Sequence, residues 1–196
     1  MKKYIAESLG TFTLTLVVAL SIAGKFPVST PVLAGLVLAL FVYSIGHISG
    51  THINPAVTLG LWSIGKIRSA DALNYIVAQF VGAGVASLLV ASVVTVMPDG
   101  LSISNSVIIL FAELIGAFFF AFGIASVVYE RTPRDASGLV IGGSLLLGIT
   151  ISALLGANGV LNPAVAFGIG SFGLMYVLGP VLGAILGMQT YRYFED

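Results

Sequence analysis

Two copies of one tripeptide, Asn54-Pro55-Ala56 and Asn162-Pro163-Ala164, are the residues whose types and spacing point to chemistry. A given tripeptide arises by chance on the order of once in several thousand positions, so a matched pair in one chain is no accident of composition. Asparagine is a strong N-cap: its side-chain oxygen accepts from the amides of its own first turn. Proline suits the first helical position, where its missing N–H has no intrahelical partner to lose. Each triplet therefore reads as a helix start, with the asparagine NH₂ left over as a donor. The apolar run after Asn54 stops near Ile64, before Lys66 and Arg68, and the run after Asn162 is equally short. Each is well below the roughly twenty residues that cross a bilayer, so both are half-helices. A helix N-terminus carries about half a positive elementary charge. Two such ends meeting at the membrane midplane, each with a carboxamide donor, would hold neutral molecules and repel cations. A water bound to both asparagines would have both lone pairs occupied and could not relay a proton.

Glu7 and Glu113 are the other polar residues of interest, one in each of two apolar stretches. An ionisable group inside a membrane segment is functional or braced by default. The expected role is bracing, each carboxylate accepting hydrogen bonds from loop amides and so fixing a half-helix. His47 and His52 lie on the same loop with no third ligand type nearby, so no metal site is expected, and packed loop histidines are the plainer reading. The absence of cysteine excludes thiol chemistry and disulfides. No nucleophile, base and orienting group converge, so neither an enzyme nor a cofactor is expected.

The elements that would position these residues follow from composition. The chain has 196 residues, 58% of them hydrophobic and only 8% charged. With a mean hydropathy of +1.09 it cannot hide its apolar residues in a soluble core, which makes the lipid bilayer its surroundings. Zero formal net charge and the lack of a basic stripe argue against nucleic acid as a partner. Six stretches are long enough to span: Tyr4 to Ala23, Val32 to His47, Ala72 to Met97, Val107 to Tyr129, Leu139 to Leu155 and Phe172 to Tyr191. The fold class is thus all-α, six transmembrane helices plus two re-entrant half-helices. Lys2, Lys3, Lys66, Arg68, Arg131, Arg134 and Arg192 fall on one side and only Lys25 on the other, which places both termini in the cytoplasm.

The halves align with one another. Ala6-Glu7-Ser8-Leu9-Gly10 answers Ala112-Glu113-Leu114-Ile115-Gly116, and Tyr75 with Gly82-Ala83 answers Tyr176 with Gly183-Ala184. Three spanning helices per half is an odd number, so the second repeat is inverted. The division is about residues 1–97 for the first repeat, a linker over 98–106, and about 107–196 for the second, within a single channel domain. Because residues 5–23 have a partner in the second repeat, they read as a repeat helix rather than a leader peptide. Small residues at four-residue spacing, such as Gly179, Gly183 and Gly187, are expected to pack helices closely. Inverted repeats and broken helices also occur in secondary transporters, the alternative reading, but ion coupling needs charged groups beyond Glu7 and Glu113.

The motif Gly-His-Ile-Ser-Gly-Thr-His-Ile-Asn-Pro-Ala-Val-Thr-Leu-Gly at residues 46–60, the Ala-Glu-x-x-Gly-Thr-Phe start, Ala78-Gln79 with Gly82-Ala83 and the second Asn-Pro-Ala resemble the major intrinsic proteins, the aquaporins and glycerol facilitators. The resemblance covers nearly the whole chain. It implies an hourglass fold in a cell membrane and a homotetramer with one pore per subunit. It also implies passive conduction of water or small neutral solutes such as glycerol or urea. It further implies an outer constriction, which gap-free counting maps onto Ala34, Thr150, Gly159 and Val165. The family usually has an arginine where Val165 stands and a bulky aromatic where Ala34 stands, so this constriction is expected to be wider and less polar.

Overall fold

The computed structural model describes residues 1–24, 27–94 and 106–196. The linker expected over 98–106, apart from Ser106, and Lys25 lie outside the described residues. Among these residues the regular structure is helical: α1 Lys2–Ala23, α2 Thr30–Ser49, α3 Pro55–Ser63, α4 Ser69–Val93, α5 Val107–Val128, α6 Ser137–Leu154, α7 Pro163–Gly168 and α8 Leu174–Glu195, with a 3₁₀ turn at Arg134–Ala136 ahead of α6. Each of α1, α2, α4, α5, α6 (with the 3₁₀ turn) and α8 is long and apolar enough to cross a membrane, with window hydropathies from 1.3 to 2.5. The half-helices α3 and α7 are not. Large apolar side chains such as Leu36, Leu88, Phe111 and Leu139 are exposed on the outer faces, the reverse of a soluble fold.

The ends of the elements follow local chemistry. Ser29 and Ser106 precede α2 and α5 in extended conformation, and the Ser106 hydroxyl accepts from the Ile108 N–H at 3.2 Å. Gly50 ends α2 in the left-handed conformation, φ 82°, its N–H returning to the Gly46 carbonyl at 2.8 Å. Several spans run past their apolar cores. α4 starts at Ser69 rather than Ala72, because Asp71 in its first turn favours the positive helix end and pairs with Lys3 at 2.8 Å and Arg68 at 3.0 Å.

Helix pairings obey a pseudo-twofold pattern: α1 packs on α4 as α5 packs on α8, and α1 on α2 as α5 on α6, while α2 meets α6 across the division. The half-helices cross over, α3 lying against α8 and α7 against α4. Close approach is required at the contacts. A Cβ on Gly82 would strike the Ser8 carbonyl and one on Gly183 the Leu114 carbonyl, the same clash at repeat-equivalent positions. Between α2 and α6, Gly35 and Gly142 face each other so that a Cβ on either meets the other's carbonyl oxygen. Without a hydrophobic force between helices in lipid, such backbone contact is what binds them. At one end of the molecule Lys3, Arg68 and Asp71 join α1 to α4. Lys66 lies 4.5 Å from the centre of the Tyr129 ring, and Arg131 pairs with Glu195, so the basic residues after α3 and α5 share that end.

Candidate functional site

The site is assembled by two non-helical segments, residues 50–54 ahead of α3 and 155–162 ahead of α7. Each wraps a fully buried carboxylate. Glu7 Oε1 accepts from the His52 N–H at 2.9 Å and the Ser49 hydroxyl at 2.7 Å. Its Oε2 accepts from the Ile53 N–H at 2.6 Å and from Gln79 Nε2 at 2.8 Å. Glu113 Oε1 accepts from the Val160 N–H at 3.0 Å and the Ser152 hydroxyl at 3.1 Å, and Oε2 from the Leu161 N–H at 2.7 Å. Aiming consecutive amides at one anion needs left-handed backbone, and Thr51, Ile53, Gly159 and Leu161 have φ of 51°, 40°, 66° and 54°. For a β-branched residue such as Ile53 this conformation costs about 1–3 kcal/mol, which charge-assisted hydrogen bonds to the carboxylate offset.

The other side of the same peptides faces away. Across a trans peptide the carbonyl of one residue points opposite to the N–H of the next. With the Val160 and Leu161 amides turned to Glu113, the Gly159 and Val160 carbonyls point away from it, and they accept no hydrogen bond from any described residue. The Thr51 and His52 carbonyls are placed likewise by Glu7.

At the meeting point stand the two asparagines. The Asn54 Oδ1 caps α3 by accepting from Ala56 N–H at 2.8 Å, and Asn162 Oδ1 caps α7 by accepting from Ala164 and Val165 at 3.1 and 3.3 Å. Each NH₂, expected to be wholly available, gives one proton to the opposite loop: Asn54 Nδ2 to the Leu161 carbonyl and Asn162 Nδ2 to the Ile53 carbonyl, both at 2.9 Å. An amide nitrogen carries two protons, so one on each asparagine remains. The left-handed turns at Ile53 and Leu161 are what present those carbonyls.

A cavity of about 250 Å³ opens beside this junction. Asn54, Asn162, His52 and Ile53 form its inner end, Leu14, Val18, Leu38, Phe120, Leu145 and Ile149 its walls, and Ile22, Thr30, Pro31 and Asn158 its outer rim. No residue lining it carries a charged side chain. Of the four positions reached by counting, Ala34, Gly159 and Val165 line this cavity and Thr150 does not. The Thr150 hydroxyl donates to the Leu146 carbonyl at 2.8 Å along its own helix, and the wall position belongs to Ile149. One residue along a helix turns a side chain through about 100°, so a single-residue error in counting across the α6–α7 segment moves it off the lumen.

Sequence reasoning gave no role to a polar cluster behind the first half-helix. Gln79 Nε2 bridges Glu7 and the Thr58 hydroxyl at 3.0 Å, and Thr58 in turn contacts His52 Nδ1 at 3.1 Å. The signal was available, since a glutamine in the middle of an apolar span must face the interior. By the same repeat alignment Pro180 and Ala166 stand at the corresponding positions, so the cluster has no copy beside α7. His47 is exposed at the end of α2, and the described residues hold no group of metal-ligating side chains.

The sequence pattern of the family described as Major intrinsic protein matches residues 1–191. Aquaporin AqpM of Methanothermobacter thermautotrophicus is 35% identical over 186 residues, covering 83% of this chain and 74% of the relative. Glycerol uptake facilitator protein-like 6 of Lactiplantibacillus plantarum is 37% identical, with 98% and 97% covered. Among solved structures, the aquaglyceroporin from Plasmodium falciparum superposes with a TM-score of 0.76 over 100% of this chain and 95% of that one, at 22% identity. The architecture, the paired Asn-Pro-Ala half-helices and these likenesses place the chain in the major intrinsic protein family.

Proposed function

We propose that the protein is a passive channel that conducts water and small uncharged solutes through the gap where α3 and α7 meet. The observation that carries this reading is the reciprocal locking of Asn54 and Asn162 onto each other's loops. It leaves one amide proton of each at the inner end of an uncharged cavity. Two positive helix ends there oppose cations, and desolvation in an apolar passage opposes ions of either sign. The names of the relatives, an aquaporin and a glycerol uptake facilitator, agree with water and a small polyol as cargo. The constriction is formed by Ala34, Ile149, Gly159 and Val165, and its lack of a fixed charge or bulky ring makes it wide. The basic residues at the ends of α1, α4, α5 and α8 support an orientation with both termini in the cytoplasm of a cell-membrane protein. The repeats are residues 1–97 and 107–196, and four copies, each with its own pore, make the functional unit.

Light scattering of proteoliposomes under osmotic gradients tests the reading. An impermeant osmolyte should show water flux well above that of empty vesicles, and glycerol or urea gradients should dissipate faster with protein than without. Asn54→Asp and Asn162→Asp, which replace a donor by a carboxyl facing a carbonyl, should raise cation leak. Correctly folded protein with no flux above empty vesicles would rule the channel out, and unchanged ion and water permeability in both variants would remove the asparagines from the mechanism.

A further inference from the structure

The seam between α1 and α4 carries more positive charge than its own carboxylate balances. Asp71 Oδ1 accepts from Lys3 Nζ at 2.8 Å and from the Tyr4 hydroxyl at 3.0 Å, and its Oδ2 accepts from Arg68 Nε and Nη2 at 3.2 and 3.0 Å. Two cations on one anion leave a surplus of one charge. Lys2, in the first turn of α1, adds another, having no carboxylate partner among the described residues. Elsewhere at this end Arg131, Arg134 and Arg192 each meet a carboxylate of their own, Glu195, Glu130 and Asp196. Arg68 uses two of its five N–H groups on Asp71, and its side chain is 84% exposed, so the rest of the fork is open to an outside acceptor. Trp62, also exposed, gives its indole N–H to the Ser69 hydroxyl at 3.0 Å, beside Arg68, as a side chain anchored at headgroup level does.

Deeper along the seam, Ser8 lies against Gly82, and Glu7 and Gln79 meet on the inner side of that contact line. Ile5 and Leu9 of α1 and Val81 and Val85 of α4 flank it on the outer side and are exposed. We propose that this seam binds a phospholipid of net negative charge from the leaflet that meets the basic end of the molecule. The phosphodiester takes the open N–H groups of Arg68 and the ammonium of Lys2, and an acyl chain lies along Ile5, Leu9, Val81 and Val85. Charge chooses the lipid: a zwitterionic headgroup brings its own cation to a site already in surplus, whereas an anionic headgroup cancels that surplus. Each cation at the surface is worth about fivefold in affinity for an anionic lipid. The seam lies apart from the cavity, so the proposal stands or falls independently of the channel reading.

The single tryptophan of the chain makes the site observable, because bromine on an acyl chain quenches indole fluorescence only at close range. The protein is reconstituted in mixtures of phosphatidylglycerol and phosphatidylcholine with one or the other brominated, and quenching of Trp62 gives their relative affinity beside it. The expected result is a preference for phosphatidylglycerol of at least about fivefold, lowered at least about twofold by Lys2→Gln and by Arg68→Gln. Arg134→Gln, which removes an exposed charge from the same end, should leave the preference unchanged. Lys2→Gln breaks no ion pair, so it decides the matter even if Arg68→Gln loosens α4. Equal quenching by the two lipids in wild type overturns the site. A preference that survives Lys2→Gln, or that Arg134→Gln lowers as much as Lys2→Gln does, belongs to the basic end at large and overturns the assignment to this seam.

Discussion

Glu7 and Glu113 do not touch the cavity, yet they set its chemistry. Each gathers two consecutive loop amides and a serine hydroxyl, which forces left-handed turns on Ile53 and Leu161 and leaves the carbonyls of these two residues to face the opposite asparagine. An amide in place of either carboxylate keeps the shape but presents an NH₂ to groups that themselves donate. Glu7→Gln and Glu113→Gln should each lower stability by about 2 kcal/mol or more, since a buried donor is left without its acceptor. Thermal denaturation in detergent reads this directly, and conduction by whatever protein folds should keep the wild-type order of solutes. A variant that melts like wild type but passes a different set of solutes would show that the carboxylate acts on selectivity and not on the loop.

At the scale of elements, the broken helices were the most legible part of the sequence. Asn-Pro opens each half-helix, and the run beyond is too short to span, so both their existence and their starts could be read directly. Span boundaries were less legible because polar residues with partners elsewhere prolong helices: α4 begins at Ser69 through the Asp71 pairs, and α8 runs to Glu195, which meets Arg131. Thr150 illustrates the limit of counting, as nothing local tells which face of α6 the α6–α7 segment leaves toward the lumen. The glycines at four-residue spacing did mark close approach, though their partners emerge only in three dimensions. Gly35 and Gly142 hold α2 and α6 together, and these helices carry Ala34 and Ile149 to the cavity. Gly142→Val places methyl groups against the Gly35 carbonyl and should cost about 1–3 kcal/mol as overpacking. Lower melting temperature together with altered glycerol permeability is the expected outcome, and an unaffected variant would mean that the helices separate without consequence for the pore.

Across the whole molecule, the inverted repeat builds two equivalent half-helices but does not make the two halves of the passage alike. Beside α3 sit Gln79, Thr58 and His52; beside α7 the repeat-equivalent positions hold Pro180, Ala166 and Val160, and the wall of the outer cavity is apolar. Symmetry therefore secures the junction of the two half-helices, while departures from symmetry shape the surroundings of the cavity beside it. Val165, on the third residue of α7, and Ala34, on α2, both line the cavity and are small. Filling both positions tests whether width and polarity there govern the cargo. Val165→Arg with Ala34→Phe should narrow the opening and add a fixed cluster of donors, lowering glycerol and urea permeability by at least about tenfold while water flux persists, because a water molecule needs far less room. Stopped-flow scattering on the double variant and on wild type, normalised to the amount of reconstituted protein, decides it. Should the filled variant pass glycerol as wild type does, the constriction lies elsewhere along the passage; should wild type already exclude glycerol and urea, another side chain narrows it beyond what Ala34, Ile149, Gly159 and Val165 provide.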